Sequence, residues 1–241
     1  MKRSFIFCML LSAAVAGLRA ESMPLEERLQ FADGLYARGI SELAAGEYTR
    51  ALEEHPDKAP VDRILFRRGE CYRRMGDRVA ADKDFRRVVA EFPKSEFRPR
   101  AGFRRAELYR EAEQYDAALA LYAAALKARP PKDIAAASRY FMGETFLKKK
   151  ATDKAVETFE QVTARHADSE FKSYALLRLG HLYATDRDDA RKALAFYREA
   201  ARKPATDRVG AEALAQIAEL HFAEAEYQES AEAFSRLIKA Y

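Results

Sequence analysis

The sequence predicts an all-α protein built from a repeated pair of helices. Three observations support this: a period of 37 or 38 residues, apolar residues at helical spacing, and Gly or Pro between the helical stretches. Such a period is typical of an array of identical supersecondary units. We therefore expect about six helix-turn-helix units. The period is carried by small residues (Gly69, Ala106, Gly143, Gly180, Ala218), by rings (Tyr72, Tyr109, Phe146, Tyr183, His221), by a second small series (Ala81, Ala118, Ala155, Ala193, Ser230) and by a second ring series (Phe85, Tyr122, Phe159, Tyr197, Phe234).

Residues 61–93 illustrate one unit. Apolar residues recur at helical spacing on both sides of Gly76-Asp77, which we interpret as the turn between two helices. Pro93 ends the second helix, and Pro56 and Pro130 lie 37 residues away on either side. In one unit alone, both helices stay half-buried and the unit cannot hide its apolar side. Stacking of neighbouring units would remove the rest from water, at about 2–3 kcal/mol per buried aromatic side chain.

The first twenty residues are predicted to be a secretory signal. Lys2 and Arg3 give a basic start, an apolar run follows at 5–18, and small residues allow cleavage after Ala16 or Ala20. The run is shorter than the roughly 20 apolar residues of a membrane helix. We therefore expect no stable membrane anchor, and a mature protein that is periplasmic in a bacterium or secreted.

Residues 21–241 are predicted to form the repeat domain. The first unit is predicted to have a second helix shortened by seven residues, because Gly39 precedes Gly69, and Ala51 precedes Ala81, by only 30 residues. The last unit is predicted to be truncated, because its second helix looks like an internal one. The predicted units are 25–60, 61–97, 98–134, 135–171, 172–208 and 209–241.

No motif in the sequence predicts catalysis. The four histidines, His55, His166, His181 and His221, have no Cys or Glu partner at metal-ligand spacing. There is no Gly-rich phosphate loop and no nucleophile elbow. Removal of residues 1–20 lowers the net charge from +4 to +1 and leaves Cys71 alone, which we expect in the core. We therefore predict a non-enzyme without cofactor or metal, and no nucleic-acid partner, since an exported protein rarely meets nucleic acid.

The order small, aromatic, Ala, aromatic, Pro resembles the tetratricopeptide repeat over nearly the whole mature chain. Gly69, Tyr72, Ala81, Phe85 and Pro93 carry it in one unit. The linkers at 92–97 and 166–171, with helices such as ILFRRGECY and ALLRLGHLY, are similar to an envelope branch of the family that includes the Tol-Pal-associated periplasmic protein and the β-barrel assembly lipoprotein. The resemblance implies a right-handed α-α superhelix. Arg68 and Arg105 stand where the family usually has Leu.

The resemblance also implies a concave groove, lined by the first helices, that holds a peptide. Residues 62–110 hold 15 basic and 8 acidic side chains, which favours an acidic partner. Aromatic anchors interleaved with Arg suit such a peptide. The alternative is that Phe66 and Phe103 pack against the preceding unit and that the cations pair with nearby carboxylates. The groove residues carried over are Arg63, Phe66, Arg73, Arg74, Arg100, Phe103, Arg110, Tyr140, Lys148 and Tyr174.

Two functions follow from the sequence as hypotheses. The first is a periplasmic scaffold that binds peptide segments of envelope proteins through the groove. The second is the helical, non-catalytic arm of a larger cell-wall enzyme whose catalytic domain lies beyond residue 241. The sequence leaves the partner, its helical or extended conformation and the oligomeric state open.

Overall fold

A computed structural model describes residues 23–202 and 208–239, and the regular structure within these ranges is entirely helical. The all-α prediction is therefore confirmed. The predicted signal at 1–20 and its cleavage sites lie outside the described residues. The helices are α1 (Leu25–Ala37), α2 (Ser41–Glu54), α3 (Val61–Arg74), α4 (Arg78–Glu91), α5 (Arg98–Glu111), α6 (Tyr115–Lys127), α7 (Lys132–Lys148), α8 (Thr152–Arg165), α9 (Glu170–Thr185), α10 (Ala190–Ala200), α11 (Arg208–Ala223) and α12 (Tyr227–Ile238).

The helices form two compact units, with α1–α4 in the first and α5–α12 in the second. Within each unit the helices pack in consecutive pairs, α1 with α2 and so on, and the second helix of a pair also packs against the first helix of the next pair. None of the described helices combines the length and the apolar character that a membrane crossing requires.

The pairs α3–α4, α7–α8 and α9–α10 are each held together by an aromatic ring of the second helix, which lies against a glycine of the first helix. The rings of Phe85, Phe159 and Tyr197 are completely buried. A Cβ atom added to Gly143 would lie 2.6 Å from Cε1 of Phe159, inside van der Waals contact. The small-residue series of the sequence therefore marks the places where a helix backbone approaches a ring.

A left-handed residue ends the turn that follows each first helix in the described pairs. Gly39 and Gly76 have φ angles of +78° and +80°. The same position, 37 or 38 residues later each time, has a positive φ although it carries other side chains: Glu113, Lys150, Asp188 and Ala225. Five of these six residues occupy the helix C′ position, and Asp188 lies one residue beyond it. The left-handed conformation lets backbone N–H groups reach the last carbonyls of the helix. Glu113, for example, donates its backbone N–H to the Arg110 carbonyl at 3.0 Å.

The prediction of a shortened first unit is wrong. Helix α2 has 14 residues, as many as α4. Gly39 is the turn residue that corresponds to Gly76, and not the counterpart of Gly69. The residue that corresponds to Gly69 is Ala32, which is fully buried and lies 37 residues earlier. The first pair therefore keeps the same period as the others.

Arg68 takes part in a buried ion pair in place of an apolar contact. Its guanidinium donates to both carboxylate oxygens of Asp84 in α4, at 2.7 and 2.9 Å, and to the Thr49 hydroxyl in α2, at 2.9 Å. The Asp84 side chain is only 2% exposed. An Arg at this position is therefore accommodated because a carboxylate has been buried opposite to it.

We predict that Gly143→Ala destabilises the protein. The new methyl group would press on the Phe159 ring, and overpacking costs about 1–3 kcal/mol, more than the gain in helix propensity of about 0.5–1 kcal/mol. Gly46→Ala is the matched control, because Gly46 lies in α2 with no atom within 4 Å of its added Cβ. The control should raise the free energy of unfolding, measured by urea denaturation. A stabilised Gly143→Ala variant would contradict the packing described here.

We also predict that Arg68→Leu lowers the free energy of unfolding by about 3–5 kcal/mol, because it leaves the Asp84 carboxylate buried without its cation. The double variant Arg68→Leu/Asp84→Ala removes both charges and should recover most of that loss. Urea denaturation of the wild type, both single variants and the double variant forms a complete cycle. If the loss in the double variant equals the sum of the losses in Arg68→Leu and Asp84→Ala, the two side chains are not coupled.

Candidate partner-binding surface

Three of the predicted aromatic anchors are buried in the core. Phe66, Phe103 and Tyr140 are 7%, 6% and 9% exposed. Phe66 lies between Phe85 and Phe97, at ring distances of 5.7 and 5.3 Å. Side chains enclosed in this way stabilise the repeats and offer almost no surface to a partner. Their assignment to the groove is therefore corrected. Phe66 and Phe103 contact rings of their own pair and of the segment that follows, and not the preceding unit that the packing alternative named.

Two of the predicted cations in the first compact unit, α1–α4, form ion pairs within the protein. Arg63 in α3 forms an ion pair with Asp33 in α1. Arg73 lies 3.3 Å from the carboxylate of Glu70, one turn earlier in the same helix. These two carboxylates partly neutralise Arg63 and Arg73 at short range.

Arg74 is exposed but is held against another helix. Its guanidinium lies 4.0 Å from the centre of the Tyr36 ring and donates to the Tyr36 carbonyl at 2.9 Å. Arg67 approaches the same ring, at 4.9 Å. The contacts are cation–π interactions that fix α3 on α1.

The remaining predicted residues of the second compact unit, α5–α12, fall into two groups. Arg110 is half-buried and lies over the Phe141 ring at 5.0 Å. Arg100, Lys148 and Tyr174 are exposed, and Tyr174 retains 37% of its surface. These three are the predicted groove residues that remain open to a partner in this unit.

An ion pair that the sequence analysis missed lies beside Tyr174. Arg178 in α9 donates to both carboxylate oxygens of Glu144 in α7, at 2.8 and 3.1 Å. Burial by itself lowers the pKa of Arg178, but Glu144 and Tyr140 more than compensate, so that its pKa is raised. Burial and then the charge of Glu144 raise the pKa of the Tyr140 hydroxyl. Both groups therefore keep their protons at neutral pH.

The carboxylates follow the same period as the core residues, which is a signal that the sequence analysis could have used. Asp33, Glu70, Glu107 and Glu144 are each 37 residues apart. Each of them contacts an Arg, and the partner of Glu107 is Arg104 at 2.6 Å. The sequence analysis considered nearby carboxylates only, whereas Arg63 and Arg178 reach Asp33 and Glu144 from another helix.

The remaining titratable groups show no arrangement for catalysis in the ranges that the structure covers. His221 is buried and contacts Glu226, whereas His181 packs edge-on against the Tyr197 ring at 5.5 Å. Cys71 is fully buried, and burial raises the pKa of its thiol to about 11. Among the described residues no group of His, Cys, Asp and Glu could hold a metal ion.

Two family models described as "Tetratricopeptide repeat" match the chain, one over residues 63–95 and the other over residues 109–179. Proteins with these repeats generally mediate protein–protein or peptide interactions and generally lack catalytic activity. A comparison with curated proteins found no match.

Three solved structures illustrate the similarity of fold. The apo form of RapI is 17% identical, with a TM-score of 0.72 over 96% of this chain and 68% of its own. Pseudomonas aeruginosa pilF is 17% identical, with a TM-score of 0.62 over 90% of this chain and 91% of its own. YrrB, described as a TPR protein with an unusual peptide-binding site, is 20% identical, with a TM-score of 0.55 over 84% of this chain and 95% of its own. At these identities the similarity concerns the fold alone.

Proposed function

We propose that this chain, which matches tetratricopeptide-repeat models over residues 63–95 and 109–179, is an exported scaffold that binds peptide segments of cell-envelope proteins. The repeats supply rigid helix pairs with outward-facing side chains and no catalytic constellation among the described residues. The linkers at 92–97 and 166–171, which resemble those of an envelope branch of the family, favour partners in the same compartment.

The observation that carries the proposal is an exposed aromatic side chain on a rigid base in the second unit. Tyr174 is supported by Tyr140 and Phe171, with ring centres 6.0 and 6.3 Å away. A half-exposed Tyr that is already fixed by its neighbours loses little conformational freedom on binding, and Tyr is enriched among residues that dominate binding energy. We call Glu144, Lys148, Tyr174 and Arg178 the Tyr174 surface.

The charges of the Tyr174 surface indicate what kind of peptide it suits. Lys148 is exposed, and the Arg178 side chain is 41% exposed although Glu144 holds it in place. Lys148 lies one turn after Glu144 on α7, and Arg178 lies one turn after Tyr174 on α9. We infer that an acidic side chain or a terminal carboxylate binds beside these cations while an apolar side chain lies on Tyr174. The proposed ligand is therefore a peptide that carries an apolar residue next to an acidic group.

Export is the second part of the proposal, and it rests on the sequence of residues 1–20. The basic start, the short apolar run and the small residues at Ala16 and Ala20 form the three regions of a secretory signal. An exported repeat protein would encounter other envelope proteins and not nucleic acid.

We predict that the double variant Tyr174→Ala/Lys148→Glu loses its peptide partners. Truncation of one dominant residue costs about 2 kcal/mol, which corresponds to about 30-fold in affinity. Partners are recovered from an envelope extract on immobilised protein, identified by mass spectrometry, and retested as synthetic peptides by fluorescence anisotropy. Tyr174→Phe, which keeps the ring, and Lys127→Glu, which changes an exposed cation on α6, are the controls. Equal affinity of the double variant and the wild type would remove the Tyr174 surface from consideration.

We predict that the mature protein begins at Gly17 or Glu21, because cleavage is expected after Ala16 or Ala20. Mass spectrometry of the protein from a periplasmic fraction measures this directly. The variant Leu10→Arg/Leu11→Arg interrupts the apolar run and should keep the chain uncleaved inside the cell. Recovery of the wild type with residues 1–20 intact from the cytoplasm would contradict export while leaving peptide binding to be judged by its own experiment.

A further inference from the structure

Arg139 in α7 is a half-buried cation that is held by an imidazole and not by a carboxylate. Its guanidinium donates to Nε2 of His166, the residue after α8, at 2.8 Å. Within the described ranges, no carboxylate forms an ion pair with Arg139 or with Arg165 in the last turn of α8. Arg68 and Arg178, by contrast, each face a carboxylate. We call Arg139, Arg165 and His166 the Arg139 site.

The groups of the Arg139 site oppose each other electrostatically. Burial, and then the charge of Arg165, lower the pKa of Arg139. Burial, followed by the charges of Arg139 and Arg165, lowers the pKa of His166, so its imidazole is neutral at pH 7 and accepts from Arg139. Two guanidinium groups therefore repel each other here without a negative charge between them.

The first helix pair shows what accompanies an Arg at this position of the repeat. Arg28 in α1 occupies the position of Arg139, three periods of 37 residues earlier. It is buried and donates to the carboxylates of Glu47 and Glu54 in α2, at 2.7 Å in each case. The pair α1–α2 thus supplies two carboxylates to its buried cation.

The fourth helix pair, α7–α8, has neither of these carboxylates. Thr158 stands at the position of Glu47, and Arg165 at the position of Glu54, again three periods later. The difference removes two negative charges from around the Arg and adds a positive one. An anion from outside the chain, bound between Arg139 and Arg165, would supply the missing compensation.

A cavity of about 370 Å³ gives such an anion access to Arg139. Thr158, Lys154 and Gln161 lie in its wall. Glu157 is the one carboxylate among the residues that line it, and this side chain accepts from the Gln161 amide at 3.3 Å. The two cations of the wall, Arg139 and Lys154, therefore outnumber its carboxylate.

A second cavity, also of about 370 Å³, is lined by Arg165 and His166. Neither of these two residues forms an ion pair with the carboxylates of its wall, all of which are exposed: Asp133, Asp168 and Glu170. These carboxylates would repel an anion. Entry through the cavity at Arg139 is therefore favoured.

We propose that the Arg139 site binds the phosphate group of a ligand between Arg139 and Arg165. At neutral pH a phosphate monoester carries about 1.5 to 2 negative charges, which match two guanidinium groups, whereas a carboxylate carries one. Guanidinium groups also bind phosphate oxygens through paired hydrogen bonds. A phosphorylated small molecule and the monoester headgroup of a lipid present the same group. The inference does not depend on peptide binding by the Tyr174 surface.

Isothermal titration calorimetry of the purified protein with inorganic phosphate, glycerol 3-phosphate and acetate tests the site. Acetate should bind more weakly than either phosphate by about 10-fold or more. Arg139→Gln and Arg165→Gln should each weaken phosphate binding by about 10- to 100-fold, the effect expected when a hydrogen bond to a charged group is lost. Arg86→Gln, which changes an exposed cation on α4, is the matched control and should keep the wild-type affinity.

The two sources of the phosphate group are distinguished by flotation with phosphatidylcholine vesicles, prepared with and without phosphatidic acid. Binding of the soluble phosphates without a preference for phosphatidic acid identifies a small molecule. Flotation that requires both phosphatidic acid and Arg139 identifies a lipid headgroup.

The variant Arg165→Glu rebuilds in α8 the carboxylate that Glu54 provides in α2. It should abolish phosphate binding and raise the urea midpoint in the absence of phosphate, because Arg139 then has an intramolecular partner. Phosphate should raise the urea midpoint of the wild type and leave that of Arg165→Glu unchanged. Circular dichroism checks that each variant is folded.

Three results would each overturn the proposal. The first is that neither soluble phosphate binds and that flotation does not depend on phosphatidic acid. The second is that acetate binds as tightly as phosphate. The third is that Arg139→Gln, Arg165→Gln or Arg165→Glu, shown to be folded, binds phosphate or vesicles as the wild type does.

Discussion

The close approach of a helix backbone to an aromatic ring is the interaction on which the rest of the structure depends. In each of the pairs that contain Gly69, Gly143 and Gly180, a ring of the second helix occupies the space that a Cβ atom would need. The contact fixes the distance between the two helices and leaves only one face of the first helix free. This contact therefore decides which side chains of the first helix are left exposed to a partner.

The same constraint explains why the candidate surface is smaller than the groove predicted from the family resemblance. Phe66, Phe103 and Tyr140 are placed so near the rings of their own pairs that they complete the core. Tyr174 packs outside this layer, on Tyr140, and keeps more than a third of its surface. The regular carboxylate series holds Arg63, Arg73, Arg104 and Arg178 in place, so these four cations have a fixed orientation on the surface.

The sequence analysis succeeded where a residue type has only one physical use and failed where it has two. The alanines of the second small-residue series and the buried rings that pack near them have one use each, and both were found. Glycine has two uses, close packing and left-handed turns, and for this reason Gly39 was aligned with Gly69 when it corresponds to Gly76. Four later turns adopt the same backbone conformation without glycine, so the composition gave no warning of the error.

The sequence by itself determined the helical class, the period and the positions of the core rings, because these follow from local spacing that every copy repeats. Only the tertiary structure decided which aromatic and charged side chains remain available. Arg178 meets Glu144 across 34 residues, and Arg68 meets Asp84 from the neighbouring helix. Such pairings depend on how one helix is placed against the next. The burial of Tyr140 and the exposure of Tyr174 are decided in the same way, because solvent access depends on the packed helices and not on any one helix.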